Sequence, residues 1–197
     1  MPAAERATAV LIPGLARDAE LLAPQAQALR ATGHGVHDSL VHFNAFTLPA
    51  MAERLRADTP ELVALRRQAC TLFAAGRMDE VLRANVAFAF HPNSARDPGL
   101  VVRYLAMVRR AGAEALIRQN EAVMARPDLR AQLPSVACPV LVMVGEADQL
   151  TPPEHAREIA AAVPGARLEV LPGAGHMLSW EQPGRVNAVL LGWLGRL

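Results

Sequence analysis

The order of strand and helix patterns along the chain limits the fold more than any other feature. Residues 60–129 have the periodicity of consecutive helices and contain few clusters of β-branched residues. Before and after this stretch, strand patterns alternate with helix patterns, which favours parallel strands joined by helical crossovers. The sequence therefore predicts an α/β fold, in which helices flank a mostly parallel sheet and the middle of the chain forms a helical cap.

The N-terminal part has the pattern of one strand–helix–strand unit. Residues 8–12 form a short apolar run that ends at a Pro-Gly pair, as expected of a buried strand followed by a loop. Residues 18–31 have helical spacing, and Gly33 suits the exit from that helix. Residues 36–43 are a weaker strand candidate, which we expect to lie parallel to the first strand.

The same alternation resumes near the C-terminus. Residues 139–145 are continuously apolar, which predicts a strand buried on both faces. The order Thr151-Pro152-Pro153-Glu154 has the form of a capping box, so we expect Thr151 to be the N-cap of a helix that runs to about Val163. Residues 167–171 alternate polar and apolar side chains, as expected of a strand nearer the sheet edge.

A last helix is predicted after a second capping box. Ser179 and Gln182 have the spacing of such a box, so we interpret Ser179 as an N-cap and not as a nucleophile. The residues that follow at helical spacing form one apolar stripe: Val186, Val189, Leu190, Trp193, Leu194 and Leu197.

Two side chains capable of acid–base chemistry follow the two C-terminal strands. Asp148 comes just after the first of these strands, and His176 comes just after the second, in a glycine-rich loop. The ends of neighbouring parallel strands meet at one edge of a sheet, where ligands and catalytic groups collect. An aspartate at this edge can hold the Nδ1–H of the imidazole, which leaves the other ring nitrogen to act as a base.

The charge balance excludes several kinds of partner and chemistry. The chain has 197 residues and a net charge of +1, and all 20 of its basic residues are arginine. A balanced charge gives no electrostatic basis for binding nucleic acid or an anionic membrane. The absence of lysine excludes a lysine Schiff base and a Walker A phosphate loop.

We see no signal sequence and no membrane span, so a cytoplasmic location is expected.

No metal or other cofactor is expected. His34, His37 and His42 lie close together, but their spacing matches no common metal site and no nearby Cys or Glu set completes one. Cys70 and Cys138 are far apart and form no CxxC pair, so we interpret both as packing residues.

Three motifs occur in order along the chain. Val10-Leu11-Ile12-Pro13-Gly14-Leu15 lies near the N-terminus, and Gly145-Glu146-Ala147-Asp148 is followed by Thr151-Pro152-Pro153. Pro172-Gly173-Ala174-Gly175-His176 is then followed by Glu181-Gln182-Pro183. Together they resemble the first strand and loop, the acid loop and the histidine loop of α/β-fold hydrolases, in the esterase and enol-lactonase-like branch. The resemblance implies that His176 is the catalytic base, that Asp148 orients it, and that Leu15, or else Ala16, supplies an oxyanion-hole amide.

The chain departs from this family at the nucleophile. The family carries a serine in G-x-S-x-G at a sharp strand-to-helix turn, and glycines at those offsets flank none of the serines here: Ser39, Ser94, Ser135 and Ser179. Neither cysteine has such flanks. Near Arg56 the sequence passes directly from a pattern typical of the family's core to one typical of its cap. The resemblance therefore implies that the elbow strand, its helix and the next strand are missing as one block. The predicted parts are residues 1–56 and 134–197 for the α/β core, and 57–133 for the helical cap.

Missing central strands would leave a gap in the predicted sheet. Each absent strand would leave a gap of roughly 4.8 Å between its former neighbours in the sheet. The backbone N–H and C=O groups along that gap would be unpaired, which is costly whether they are buried or exposed. Three outcomes follow. The strand around Val10 pairs directly with the strand around Val140, a second copy of the chain fills the gap in a homodimer, or the chain is only marginally folded.

The resemblance implies hydrolysis of an ester, a lactone or a similar acyl substrate. Without the elbow serine we expect weak activity or none, with His176 activating water directly or a partner chain lending a serine. Two alternatives stay open. One is a non-catalytic descendant that binds a small apolar ligand or a partner protein under the helical cap, and the other is an engineered or truncated hydrolase.

Overall fold

The computed structural model describes residues 9–11, 19–38 and 59–197. The first unit consists of strand β1 (Ala9–Leu11), helix α1 (Ala23–Ala31) and strand β2 (Val36–Asp38), and a 3₁₀ turn over Ala19–Leu22 leads into α1. Strands β1 and β2 are parallel, as predicted, with Ala9 opposite Val36. The chain leaves α1 through Gly33 at a φ of 81°, a conformation that favours glycine. The rest of the second predicted strand, residues 39–43, lies outside the described residues.

Consecutive helices follow, as the periodicity predicted: α2 (Pro60–Ala74), α3 (Met78–Ala89), α4 (Pro98–Ala111) and α5 (Ala113–Met124). Local chemistry sets their ends. The side chains of Thr59 and Asp97 accept backbone N–H groups at the starts of α2 and α4, and Gly112, at a φ of 79°, separates α4 from α5.

The helices enclose the largest apolar cluster in the described part of the chain. Phe90 and Met107 are among its most buried members, and the Phe90 and Tyr104 rings meet edge to face with centroids 5.4 Å apart. Met177 and Trp180, which follow the second C-terminal strand, belong to the same cluster. The helical segment therefore packs directly against the region that carries His176.

The second strand–helix–strand unit consists of β3 (Leu141–Gly145), α6 (Pro153–Ala162) and β4 (Arg167–Leu171). Strands β3 and β4 are parallel, with Leu141 opposite Arg167 and Gly145 opposite Leu171. Strand β3 was predicted to be buried on both faces, but its burial is unequal. Val142 and Val144 are buried in a cluster with α6, whereas Met143 is half-buried on a smaller cluster with Leu171.

The last helices are α7 (Leu178–Glu181) and α8 (Pro183–Leu194). The predicted N-cap at Ser179 is wrong, because α7 begins one residue earlier and Ser179 lies inside it. The predicted apolar stripe of α8 is only partly covered, since Val186 is buried and Leu197 lies beyond the helix and is 68% exposed.

The two units meet through helices. In the described strands β1 pairs with β2 and β3 pairs with β4, and no ladder joins β1 to β3, so the direct pairing considered above is not seen there. Instead, the amide of Asn187 in α8 donates to the carbonyl of Pro24 in α1 at 3.1 Å. The Trp180 indole N–H donates to the carbonyl of Glu20 at 3.2 Å. Across the described ranges, no helix is both long and apolar enough to cross a membrane.

Candidate active site

Asp148 and His176 lie in the loops that follow β3 and β4, at one edge of the small sheet. The two loops are tied together beyond the strand ladder. The backbone N–H of Glu146 donates to the carbonyl of Leu171 at 3.0 Å, and that of Ala147 donates to the carbonyl of Ala174 at 2.9 Å. The edge placement predicted from the sequence is thus what brings the two candidate side chains together.

Two glycines allow the backbones to approach this closely. A Cβ on Gly145 would lie 2.3 Å from the carbonyl oxygen of Gly175 and 2.4 Å from that of Ala174. A Cβ on Gly175 would lie 2.5 Å from the backbone nitrogen of His91. No side chain fits at either position without moving backbone, so the acid loop, the histidine loop and the end of α3 form one packed unit.

The imidazole and the carboxylate form a buried pair. The Nδ1 atom of His176 lies 2.8 Å from Oδ2 of Asp148, and the side chains are 9% and 3% exposed. Burial opposes ionisation of Asp148, but the hydrogen bond and charge of His176 and the donors of Thr151 outweigh it, so the pKa of the Asp148 carboxyl is lowered. An ionised aspartate that accepts from Nδ1 fixes the imidazole tautomer in which proton transfer falls to Nε2.

Asp148 is held by donors on both oxygens. The backbone N–H groups of Leu150 and Thr151 each donate to Oδ1 at 2.9 Å. The Thr151 hydroxyl donates to Oδ2 at 2.9 Å and lies 3.2 Å from Nδ1 of His176. The prediction that Thr151 caps a helix is therefore wrong. Helix α6 begins at Pro153 after Pro152, and Thr151 instead belongs to the acid–histidine pair.

Glu181 is a second residue that sequence reasoning did not place in the site. Its Oε1 accepts the backbone N–H of Gly175 and its Oε2 accepts that of His91, each at 2.9 Å. In the sequence, Glu181 stood out only as part of a motif after the histidine loop. Its partner His91 is 90 positions away, so no local pattern reports this contact.

The other candidates lie elsewhere. Leu15 and Ala16, the predicted oxyanion-hole residues, fall outside the described residues, as does His42. The Nδ1 atom of His34 lies 3.0 Å from the hydroxyl of its neighbour Thr32. Cys138 is exposed, so its interpretation as a packing residue is wrong, whereas Cys70 is half-buried and burial raises the pKa of its thiol.

An open depression of about 590 Å³ lies beside the acid loop. The residues that line it include Pro92, Glu146, Asp148, Gln149 and Arg157. Pro92 follows the end of α3, so the depression spans the junction between the helical segment and the acid loop.

Comparison with known proteins identifies the class. The chain matches the alpha/beta hydrolase fold over residues 25–183. Because this match covers most of the sequence, the protein belongs to the α/β-hydrolase fold family, and the predicted family and fold class are confirmed.

Solved structures share this fold at low sequence identity. An esterase from Thermogutta terrifontis superposes with a TM-score of 0.78 at 22% identity, covering 96% of this chain and 91% of that one. The enol-lactonase from Burkholderia xenovorans LB400 superposes with a TM-score of 0.77 at 21% identity, covering 96% and 92%. At these identities the likeness establishes the fold alone.

Sequence relatives match over shorter stretches. Carboxylesterase YbfK of Bacillus subtilis is 42% identical over 64 residues, which is 32% of this chain and 22% of YbfK. The protein named "Putative carbamate hydrolase RutD" of Serratia proteamaculans is 32% identical over 83 residues. This stretch is 42% of this chain and 31% of RutD. The chain thus spans about a third or less of the length of these curated relatives.

Proposed function

We propose that Asp148 and His176 are the acid and base of a site for hydrolysing esters, lactones or similar acyl compounds. The observation that carries the proposal is the buried contact of 2.8 Å between Oδ2 of Asp148 and Nδ1 of His176. Both side chains sit on loops that backbone hydrogen bonds hold together, which is the preorganisation that proton transfer requires. Relatives described as a carboxylesterase and as a carbamate hydrolase support an acyl substrate.

The arrangement supports direct activation of water. In this scheme Nε2 of His176 removes a proton from water as the oxygen attacks the acyl carbon, and Asp148 stabilises the imidazolium that forms. The carbonyl oxygen becomes an oxyanion, for which we propose the backbone N–H of Leu15 or Ala16 as donor. When the carbon–oxygen bond breaks, the imidazolium returns its proton to the leaving alcohol. Ester and water are converted to acid and alcohol with no other reactant.

The sequence sets an upper limit on the rate. Because no serine stands in G-x-S-x-G, we propose that no covalent acyl-enzyme forms through an elbow serine. Removing the nucleophile from a triad lowers turnover by roughly 10⁶-fold, so the activity of the chain should be weak. We propose that the helices of residues 57–133 serve as a cap over the acyl group.

The test is a p-nitrophenyl acetate assay on the wild-type chain, on His176→Ala and on His34→Ala. His34 bonds to Thr32 in the N-terminal unit and serves as the matched control for loss of an imidazole. We expect His176→Ala to lower the rate by about tenfold or more, and His34→Ala to leave it near wild type. Equal rates for all three proteins would overturn the proposal.

The absent elbow motif also favours a second candidate, a non-catalytic descendant that binds a small apolar ligand under the helices. This candidate predicts no turnover and a ligand-dependent rise in melting temperature. A thermal-shift screen of short acyl esters and carboxylic acids separates the two candidates, because a binder is stabilised without releasing product. A screen that gives no stabilisation removes the support for this candidate.

A further inference from the structure

The carboxylate of Glu181 joins two segments that are distant in sequence. It lies at the end of α7, and each of its oxygens accepts one backbone N–H group at 2.9 Å. One donor is Gly175, the residue directly before His176. The other donor is His91, which directly follows the last turn of α3 and its C-cap Phe90. One side chain therefore fastens the histidine loop to the helical segment.

A second set of contacts supports the same junction. The backbone N–H of Met177, directly after His176, donates to the carbonyl of Ala89 at 3.0 Å. A Cβ on Gly175 would lie 2.6 Å from the carbonyl carbon of Phe90, so only glycine permits this approach. The residues on both sides of His176 are thus held by the end of α3, and Glu181 supplies a charged acceptor at the point of contact.

The nature of the partners distinguishes Glu181 from an ordinary surface carboxylate. On α3 itself, Glu80 forms an exposed ion pair with Arg77, which is worth little because water screens it. The Glu181 carboxylate accepts from two backbone N–H groups, and Glu181 is half-buried. Hydrogen bonds from N–H groups to a carboxylate are shorter and stronger than neutral ones.

We infer that Glu181 is a positioning residue for His176, because it fixes the histidine loop against the end of α3 and thereby sets the imidazole against Asp148. The inference rests on the proposed function, because only there does the position of the His176 imidazole serve catalysis. The contacts of Glu181 themselves exist without substrate. Movement at the end of α3 should therefore disturb the contact between His176 and Asp148.

The test compares the wild-type chain with Glu181→Gln and with the control Glu80→Gln by proton NMR without substrate. Glutamine keeps the size of Glu181 but turns an NH₂ group toward one of the two N–H donors. The readout is the His176 Nδ1 proton, which reports its hydrogen bond to Asp148. We expect this proton to exchange with water at least tenfold faster in Glu181→Gln and at the wild-type rate in Glu80→Gln.

An unchanged Nδ1 proton in a folded Glu181→Gln protein would overturn the inference. If Glu181→Gln does not fold, Glu181→Asp and the wild-type chain still decide. The N–H groups of Gly175 and His91 should exchange slowly and at similar rates in the wild type, and faster in Glu181→Asp. Fast exchange of both groups in the wild type would show that the junction does not hold.

A kinetic arm separates this inference from the proposed function. In the p-nitrophenyl acetate assay, Glu181→Gln should lower kcat with little change in KM, and should have no further effect in a His176→Ala background. A hydrolysis rate that is independent of His176 overturns the proposed function, while the Nδ1 proton continues to decide the role of Glu181. An equal loss in both backgrounds would contradict a role that acts through His176.

Discussion

The two strand–helix–strand units have the same topology, but their described strand ladders differ in length. Strands β1 and β2 pair in parallel over three residue positions, and β3 and β4 over five. Beyond its ladder, the second unit has loop-to-loop hydrogen bonds, two glycines at close backbone contacts, and a carboxylate that joins it to α3. A parallel pair of strands offers an edge for a site, and the additional contacts are what fix Asp148 and His176 there.

The units also differ in how they are buried. Strand β3 and helix α6 share an apolar cluster that includes Val142, Val144 and Ile159. In the first unit, Ala26 and Leu29 of α1 are buried, and α1 bonds to α8 through Pro24 and Asn187. The second unit has a core of its own, and in the described part of the first unit helix α1 packs against α8.

The largest effect should come from Gly145→Ala. The new Cβ would lie 2.3 Å from the carbonyl oxygen of Gly175, and neither backbone can withdraw without breaking the tie between the loops. We expect a loss of roughly 3 kcal/mol in the free energy of unfolding, measured by urea denaturation. The matched control is Gly192→Ala inside α8, where a Cβ meets open space and should stabilise by about 0.5–1 kcal/mol. Similar behaviour of the two variants would mean that the loops are not packed as described.

Leu29→Ala tests whether the first unit loosens separately from the second. Leu29 is 1% exposed, so its truncation leaves a cavity and should cost about 2–3 kcal/mol. Hydrogen exchange should rise first in β2 and α1, and the N–H groups of β3 and β4 should keep their protection until global unfolding. Equal acceleration in both units would contradict the difference between them.

Asp148→Asn tests the charge of the pair through pH. The folded-state pKa of Asp148 lies below its ordinary value of 3.8, so its ionisation adds stability above that value, and the added stability is lost as the pH falls through the folded-state pKa. At neutral pH the variant should be less stable by about 1–2 kcal/mol. The difference should shrink below about pH 4, as followed by thermal unfolding across the acid range. A difference that stays constant with pH would contradict an ionised, stabilised Asp148.

Thr151→Val should have the smallest effect of the four. The variant keeps the shape and the backbone N–H bond to Asp148 but removes the hydroxyl donor to Oδ2, so we expect a loss of about 1 kcal/mol. Thr151→Ser should retain most of the stability. Thr71→Val is the control, because Thr71 is exposed on α2 and its hydroxyl donates to the carbonyl of Arg67. Equal losses in urea denaturation for Thr151→Val and Thr71→Val would remove Thr151 from the pair.

Local sequence patterns predicted the strands, helices and loops whose formation depends on residues close together in the sequence. The apolar run of β3, the alternation of β4 and the glycine-rich loop placed Asp148 and His176 at one edge, and the structure brings them to 2.8 Å. The helical periodicity of residues 60–129 likewise predicted consecutive helices.

The failures have physical causes. Thr151 has the sequence context of an N-cap, but Asp148 lies three residues earlier. The Thr151 hydroxyl donates to the charged Asp148 carboxylate, and this hydrogen bond is stronger than the neutral one that the hydroxyl would accept from a helix N–H group. Glu181 meets His91 across 90 positions, a contact that depends on how α3 packs against the histidine loop. Local sequence patterns report neither the hydrogen bond of Thr151 nor the contact of Glu181, so both residues could be assigned only from the structure.

The central proposal is that the chain retains the acid and base of a hydrolase site with no serine of its own acting beside them. Labelling with a fluorophosphonate, followed by mass spectrometry of peptides, tests this most directly, because the reagent modifies serines activated by a neighbouring histidine. We expect no serine whose labelling in the wild-type chain disappears in His176→Ala. A single serine labelled in the wild type and unlabelled in His176→Ala would contradict the proposal and identify the nucleophile.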